Sequence, residues 1–236
     1  MTQRVCAIIP AHNEADVISD TVRGALSIPE VSEVVVVDDG STDNTAKVAS
    51  ASGAGQVLML SRNVGKGGAL NKALPMAKAD VILLLDADLG ISAKEAAKLL
   101  YPVLEGDADM TIAVFKGGSD SKAGSTKLAS RSGGFGTVMR TARLGIRLLT
   151  GRWVASPLAG PRALKREILE RTGGFAPRFG VEVGLTIDAL RMGYRVMEIP
   201  VHMVHRPSGR DVKGFVHRGR QMLDMLGVLG RKALRR

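Results

Sequence analysis

The chain has 236 residues, of which 45% are hydrophobic and 24% charged, and it carries one cysteine and a formal net charge of +10. That composition suits one large domain with a single core, and it excludes global disorder, a collagen-like chain and a disulfide scaffold. Residues 1–115 hold 9 Lys/Arg against 15 Asp/Glu, residues 116–152 hold 8 against 1, residues 153–205 hold 7 against 5, and residues 206–236 hold 9 against 2.

Met1 leads directly into a strand-like run, which does not read as a signal peptide. No apolar stretch approaches the about 18–20 residues that a membrane span needs. Cys6 has no partner within the chain, which points to a reducing compartment, so the expected location is cytoplasmic. Short apolar runs recur at Val5–Ile9, Val34–Val37, Val57–Leu60, Val81–Leu85 and Met110–Phe115. Little polar alternation within them predicts strands buried on both faces of a parallel sheet. Between them the pattern predicts helices over Asp16–Leu26, Asn44–Ala51, Gly67–Ala77 and Ala93–Leu104, with Asp43 or Ser41 capping the second and Ser92 the fourth. The expected fold class is α/β, a mostly parallel central sheet flanked by helices, with a Rossmann-like nucleotide-binding half whose functional loops leave the carboxyl ends of the strands.

After Phe115 the rhythm breaks. Residues 116–136, rich in Gly, Ser and Lys, read as a long mobile loop. A basic helix is expected over Thr137–Leu149, further helices over Ala163–Arg171 and Val183–Arg191, and a strand over Arg195–Val204. From Asp211 onward apolar residues at 212, 215, 216, 222, 223, 226 and 229 form a helical stripe with basic flanks. This divides the chain into a nucleotide-sugar-binding half (1–115), an acceptor-binding half (116–205) and a basic amphipathic tail (206–236).

Three strand ends carry chemistry: Pro10-Ala11-His12-Asn13-Glu14, Asp38-Asp39-Gly40-Ser41-Thr42-Asp43 and Asp86-Ala87-Asp88. Parallel neighbours would bring these carboxylates to one edge, where like charges are costly unless something positive binds among them. Asp86-x-Asp88 offers hard oxygen ligands suited to Mg²⁺ or Mn²⁺, which can bridge a diphosphate. Asn63-Val64-Gly65-Lys66-Gly67-Gly68 adds glycines that let backbone approach a phosphate and a lysine that neutralises one. The spacing is not that of a P-loop.

Together these motifs, over about residues 4–115, resemble the nucleotide-sugar-binding half of family 2 glycosyltransferases, with the A-type glycosyltransferase fold. The resemblance implies that Pro10, Ala11, Glu14 and Asp39 hold the base and ribose, with Asn13 also among the nucleotide-sugar-binding residues. It implies that Gly65, Lys66, Gly67, Asp86, Ala87 and Asp88 meet the sugar nucleotide and its metal-bound diphosphate. Pro157-Leu158-Ala159-Gly160, Arg166-Glu167-Ile168-Leu169, Phe179-Gly180-Val181-Glu182-Val183-Gly184-Leu185 and His205-Arg206 look like a narrower group, the glucosyl-3-phosphoglycerate synthases. By that likeness Asp88 and His205 are the metal ligands, and Gly160, Arg162 and Glu182 shape the acceptor and sugar site. There are two departures. Glu182 is followed by Val183 where many inverting relatives place a general-base Asp, so Glu182 or Asp188 would have to serve. A phosphate acceptor, ionised near pH 7, needs no base, and a retaining enzyme would also lack one. The loop after Asn63 is also poorer in arginine and proline than in the phosphoglycerate enzymes.

The expected activity is metal-dependent transfer from a nucleoside diphosphate sugar, a UDP-sugar, to a phosphorylated acceptor, either a polyprenyl phosphate or a small metabolite, with Lys66 and the cation offsetting charge on the leaving diphosphate. The tail over 206–236 suits peripheral contact with a membrane, and a homodimer is compatible with all of this. Rival phosphoryl-handling enzymes fit less well: Leu89-Gly90 departs from the haloacid dehalogenase pattern, and Pro10–Glu14 lacks a nucleotidyltransferase loop. A non-catalytic basic module for nucleic acid is disfavoured by 3% aromatics and an acidic cleft.

Overall fold

The computed structural model describes residues 3–116, 135–176, 180–205 and 226–234. Seven strands form one sheet: β1 (Val5–Ala11), β2 (Val31–Asp38), β3 (Gln56–Met59), β4 (Val81–Leu84), β5 (Met110–Phe115), β6 (Arg162–Lys165) and β7 (Val196–Val201), in the order β3-β2-β1-β4-β6-β5-β7. All neighbours are parallel except β6, which runs antiparallel between β4 and β5. The helices are α1 (Ile18–Leu26), α2 (Thr45–Ala51), α3 (Lys66–Ala73), α4 (Ala97–Leu104), α5 (Phe135–Thr150), α6 (Arg166–Thr172) and α7 (Val181–Arg191), and a 3₁₀ segment over Gly90–Ala96 leads into α4. Residues 226–234 form a last helix, α8.

Alternation along β1 divides the core. Val5, Ala7 and Ile9 face a layer made by α1, α2 and α4, whereas Cys6 and Ile8 face a layer made by α3, α5, α6 and α7. Strands covered on both faces must be apolar at nearly every position, and β1, β2 and β4 are. Cys6 is fully buried, and that burial pushes its thiol up to about 12.

The register sets the active edge. Ala11 pairs with Asp38, Ile8 with Leu84, Leu84 with Arg162, and Phe115 with Val201. The loops after β1, β2, β4, β5 and β7 and the loop entering β6 therefore open on one side. The strand order reverses at β1, with β2 on one flank and β4 on the other, which is where open α/β sheets bind ligands.

Two parts of the second half differ from the expected layout. The helix expected over Ala163–Arg171 is a strand, Arg162–Lys165, followed by α6. A four-residue strand shows too few alternations to be separated from the start of a helical pattern. The loop expected over 116–136 lies outside the described residues except at its ends, and α5 has begun by Phe135. Of the tail, only 226–234 is described, and it packs on the body of the protein. Val228 is 1% exposed, and a Cβ on Gly180 would lie 2.1 Å from its Cγ2. Leu229 sits over Gly145, Lys232 pairs with the Asp188 carboxylate, and Arg191 donates to the Lys232 carbonyl at 2.6 Å. The buried phase of this helix is set by Val228, and Leu226 of the expected stripe is exposed.

Candidate active site

The loops after β1 and β2 are stitched together by their own short polar side chains. Asn13 adopts a left-handed backbone (φ 57°), its Oδ1 accepts from the Thr42 N–H at 2.8 Å, and its own N–H donates to Ser41 Oγ at 2.9 Å. Glu14 N–H donates to Thr45 Oγ1 at 2.9 Å and Ala15 N–H to Asp43 Oδ2 at 3.2 Å. Asp43 also accepts from the Thr45 N–H at 3.0 Å, a turn just ahead of α2; the cap position itself is Asn44, which makes no side-chain cap bond, so neither Asp43 nor Ser41 caps this helix as expected. Pro10 and Ala11 end β1 beside this pair of loops.

Asp39 is 4% exposed, and both its oxygens are engaged by backbone: Oδ1 accepts from Val64 N–H at 2.7 Å and Oδ2 from Gly65 N–H at 2.8 Å. The carboxylate anticipated at the nucleotide base thus ties the end of β2 to the Gly-Lys-Gly loop and fixes where α3 begins. Gly67 packs so closely that a Cβ would lie 1.9 Å from the Ala176 carbonyl oxygen. Asn71, one turn on, accepts from Phe175 N–H at 2.8 Å and donates to Phe175 O at 2.9 Å. The start of α3 is in this way locked to the segment that leads into α7.

Lys66, the first residue of α3, lies between two carboxylates. Its Nζ donates to Asp86 Oδ1 at 2.6 Å and to Glu182 Oε1 at 2.7 Å. Burial alone would raise the Asp86 pKa, but the charge of Lys66 overcomes this and holds it below the usual carboxylate range. Burial likewise opposes the charge on Lys66, and the two acids more than offset it, raising the ammonium above its ordinary value. Asp86 and Lys66 therefore both stay ionised. Glu182 lies in the first turn of α7, where the helix dipole also favours a negative charge.

Asp88, two residues beyond Asp86, meets His205 at the far end of β7: His205 Nδ1 lies 2.9 Å from Asp88 Oδ1. The Phe115 ring, at the end of β5, packs on the imidazole with centroids 4.8 Å apart. Burial would lower the imidazole pKa, and the hydrogen bond and charge of Asp88, backed by Asp86, raise it. Among the described residues no three His, Cys, Asp or Glu side chains gather into a closed metal cage. One carboxylate and one imidazole, both partly open to the cleft, instead fit a hard cation that takes its other ligands from waters and substrate phosphate, the habit of Mg²⁺.

Gly160 presses on the same cluster: a Cβ there would lie 2.2 Å from Asp86 Oδ2. Only glycine lets this loop approach Asp86 so closely. Arg162 does not join the acceptor surface, contrary to the sequence reading. It is 1% exposed, and its guanidinium donates to Ala159 O at 2.9 Å, Glu182 O at 3.0 Å, Thr186 Oγ1 at 2.8 Å and Pro157 O at 3.0 Å. Burial pulls it down to about 10, far enough above neutral to keep it charged. Arg162 holds the Gly160 loop against the start of α7, and so places Glu182. Asp188 also leaves the site: six residues along α7 from Glu182, it faces Lys232 of α8.

Sequence reasoning missed the structural reach of Arg162, Thr186, Asn71 and Phe115, because each acts through partners distant in the chain. An asparagine inside a helical pattern was the one local signal, since such residues prefer caps and turns.

The glycosyl transferase family 2 model matches residues 6–173. Glycosyltransferase AglJ of Haloferax volcanii is 28% identical over 208 residues, 88% of this chain and 65% of its own length, so the chain spans just under two thirds of that relative. Glucosyl-3-phosphoglycerate synthase of Mycobacterium tuberculosis is 29% identical over 242 residues, 98% of this chain and 71% of that protein. A crystal structure of the M. tuberculosis synthase with Mg²⁺ and UDP has a TM-score of 0.76 at 28% identity, over 97% of this chain and 80% of that one. Another, with Mn²⁺, UDP and phosphoglyceric acid, has a TM-score of 0.75 over 97% and 79%. The family match begins in β1 and ends just past α6, taking in the Gly-Lys-Gly loop, Asp86-x-Asp88 and Gly160, and the chain belongs to glycosyl transferase family 2.

Proposed function

We propose that the protein is a divalent-cation-dependent glycosyltransferase that moves a sugar from a UDP-sugar to a phosphorylated acceptor. The observation that carries this reading is the pair of contacts Lys66–Asp86–Glu182 and Asp88–His205 on one sheet edge. Residues from both halves of the chain would in this way hold the cation, the diphosphate and the sugar together. Asp88 and His205 would hold Mg²⁺ or Mn²⁺, the metals found with UDP in the solved relatives, and the cation would supply electrostatic stabilisation of the departing diphosphate.

Lys66 has three N–H donors and spends two on Asp86 and Glu182. The third is available to a phosphate oxygen of the donor, where negative charge grows as the bond from the anomeric carbon to the diphosphate breaks. Glu182, which gives Oε1 to Lys66, would use its other oxygen to accept from a sugar hydroxyl. Gly160, by its lack of a side chain, lets its loop close directly on the Asp86 carboxylate and so hold it beside the acceptor. Where the acceptor is a polyprenyl phosphate, its phosphate oxygen attacks the anomeric carbon already ionised, the bond to the diphosphate breaks, and no proton has to be removed; a small phosphorylated acceptor that attacks through a hydroxyl would pass its proton to the departing diphosphate or to water. This agrees with Val183 standing where a base would be.

The M. tuberculosis synthase solved with UDP and phosphoglyceric acid supports a small phosphorylated acceptor. AglJ, another family member, leaves the acceptor class open to its own test. Incubation with a panel of nucleotide sugars, with Mn²⁺ or EDTA, in the presence of 3-phosphoglycerate or a short polyprenyl phosphate, tests the reading. Metal-dependent UDP release that rises with one acceptor is expected. No release with any donor–acceptor pair would overturn it.

A further inference from the structure

We propose that the outward side of α5, together with Trp153, is a docking face for an anionic lipid surface. Val138, Ala142 and Ile146 point α5 into the core. At 100° per residue, Arg140, Leu144, Arg147 and Leu148 fall within about 100° of arc on the opposite side. Leu144 is 55% and Leu148 71% exposed, and Arg140 and Arg147 are exposed beside them. Trp153, the one tryptophan of the chain, is 59% exposed. It is held next to the helix by Arg143, whose guanidinium lies 5.8 Å from the ring centroid and donates through Nε to Ala155 O at 2.9 Å. Single exposed apolar residues need no explanation, but two leucines and a rigidly held tryptophan set among arginines form a patch.

Charge selects the occupant. No Asp or Glu occurs from residue 121 to residue 166, and among the described residues neither Arg140 nor Arg147 has an ion-pair partner. A second copy seated on this face by a two-fold axis would bring arginines against arginines with no acid to pair them. An anionic leaflet supplies the opposite charge, takes shallow leucine side chains, and accommodates tryptophan at headgroup depth. A shallow apolar patch among arginines attaches reversibly at a membrane surface; among the described residues no helix is long and apolar enough to cross a membrane. The described end of the tail is docked on α5 and α7 through Val228 and Leu229, which moves the lipid-facing role from that helix to α5. This inference stands independently of the catalytic reading, because its test measures binding alone.

The experiment is co-sedimentation of the full chain with vesicles of phosphatidylcholine containing about one third phosphatidylglycerol, and with phosphatidylcholine alone. Binding to the anionic vesicles only, weakening as salt is raised, is expected. Each arginine near such a surface contributes about fivefold, so Arg140→Gln with Arg147→Gln should weaken binding about 25-fold. Leu148→Glu with Trp153→Glu should weaken it at least about tenfold. All four positions are exposed, and unchanged thermal midpoints verify that the variants fold. Unaltered vesicle binding in both double variants would assign attachment to another basic segment and overturn the proposal. So would a dimer that Leu148→Glu with Trp153→Glu dissolves in a chain that ignores vesicles, or capture of an acidic protein in place of lipid.

Discussion

Lys66 Nζ lies 2.7 Å from Glu182 Oε1, although the two residues are 116 positions apart. This contact, with Asp86 on the other side of the ammonium, joins the first turn of α3 to the first turn of α7 across the end of β4. Removing the ammonium leaves Asp86 and Glu182 facing each other without compensation and takes a donor from the leaving diphosphate. Lys66→Met should therefore lower kcat/KM by about 10²–10³, the usual scale for losing one preorganised donor. Glu182→Gln keeps the shape and one acceptor, so its loss should be smaller and fall partly on KM for the sugar donor. Steady-state UDP release measures both, and Lys66→Met with wild-type kcat/KM would remove Lys66 from the chemistry.

Gly160 tests how tightly the acceptor side is built. A methyl group there meets Asp86 Oδ1 and Oδ2 at 2.3 and 2.2 Å, so either the loop or the carboxylate must move. Overpacking of this kind costs about 1–3 kcal/mol. Gly160→Ala should keep the fold, shown by an unchanged circular dichroism spectrum, while lowering turnover more than about tenfold. Full activity in the variant would mean that Asp86 is free to swing away without consequence.

Much of the first half was legible because its elements are local: each strand is a short apolar run, each loop carries its own turn residues, and Asp43 turns the chain just ahead of α2. The residues drawn to the cleft, Lys66, Asp86, Asp88, Glu182 and His205, were also legible as types in motifs. The partners were not. Nothing local in Arg162 distinguishes a guanidinium buried among carbonyls from one at a surface, and nothing in Asp39 says that its oxygens are spent on Val64 and Gly65. Asp188 was a reasonable base on α7 until α8 brought Lys232 to it. β6 stayed hidden because four residues fit a strand and the first turn of a helix equally well.

Asp109 predicts a pH signature for the sheet. It receives hydrogen bonds from Lys165 Nζ at 2.7 Å and from the Arg195 N–H at 2.8 Å, joining the starts of β5 and β7 to the end of β6. Burial would raise this carboxyl, but the hydrogen bonds from Arg195 and Lys165 overcome it and hold the pKa well below the usual range. A depressed pKa gives stability that is fully present above the unfolded value of about 3.9 and is lost as pH falls through the folded value. Asp109→Asn should cost about 2 kcal/mol at pH 7 and almost nothing at the acid end. Thermal melts should show a constant gap between the two proteins from pH 7 to about pH 4 and a gap that narrows progressively below it; a gap that stays constant below pH 4 would contradict the assignment.

The last helix gives a prediction about the tail. Val228 is 1% exposed against Gly180 and Gly184, and Lys232 pairs with Asp188. Val228→Ala should destabilise by about 1–2 kcal/mol, a shift of several degrees in a chain of this size. Lys232→Met should add to that by leaving Asp188 partly buried and unpaired. Melting temperatures equal to wild type would show that α8 does not contribute to the folded body.

Calorimetric titration of UDP, with and without Mn²⁺, tests the central claim most directly. Asp88 and His205 sit 2.9 Å apart at the mouth of the cleft, and the account makes them the protein's hold on the cation that carries the diphosphate. Wild type should bind UDP tightly only with Mn²⁺ present, and Asp88→Ala and His205→Ala should each lose that metal dependence while keeping the fold. UDP affinity that is the same with and without Mn²⁺ in wild type, or unchanged in both variants, would contradict it.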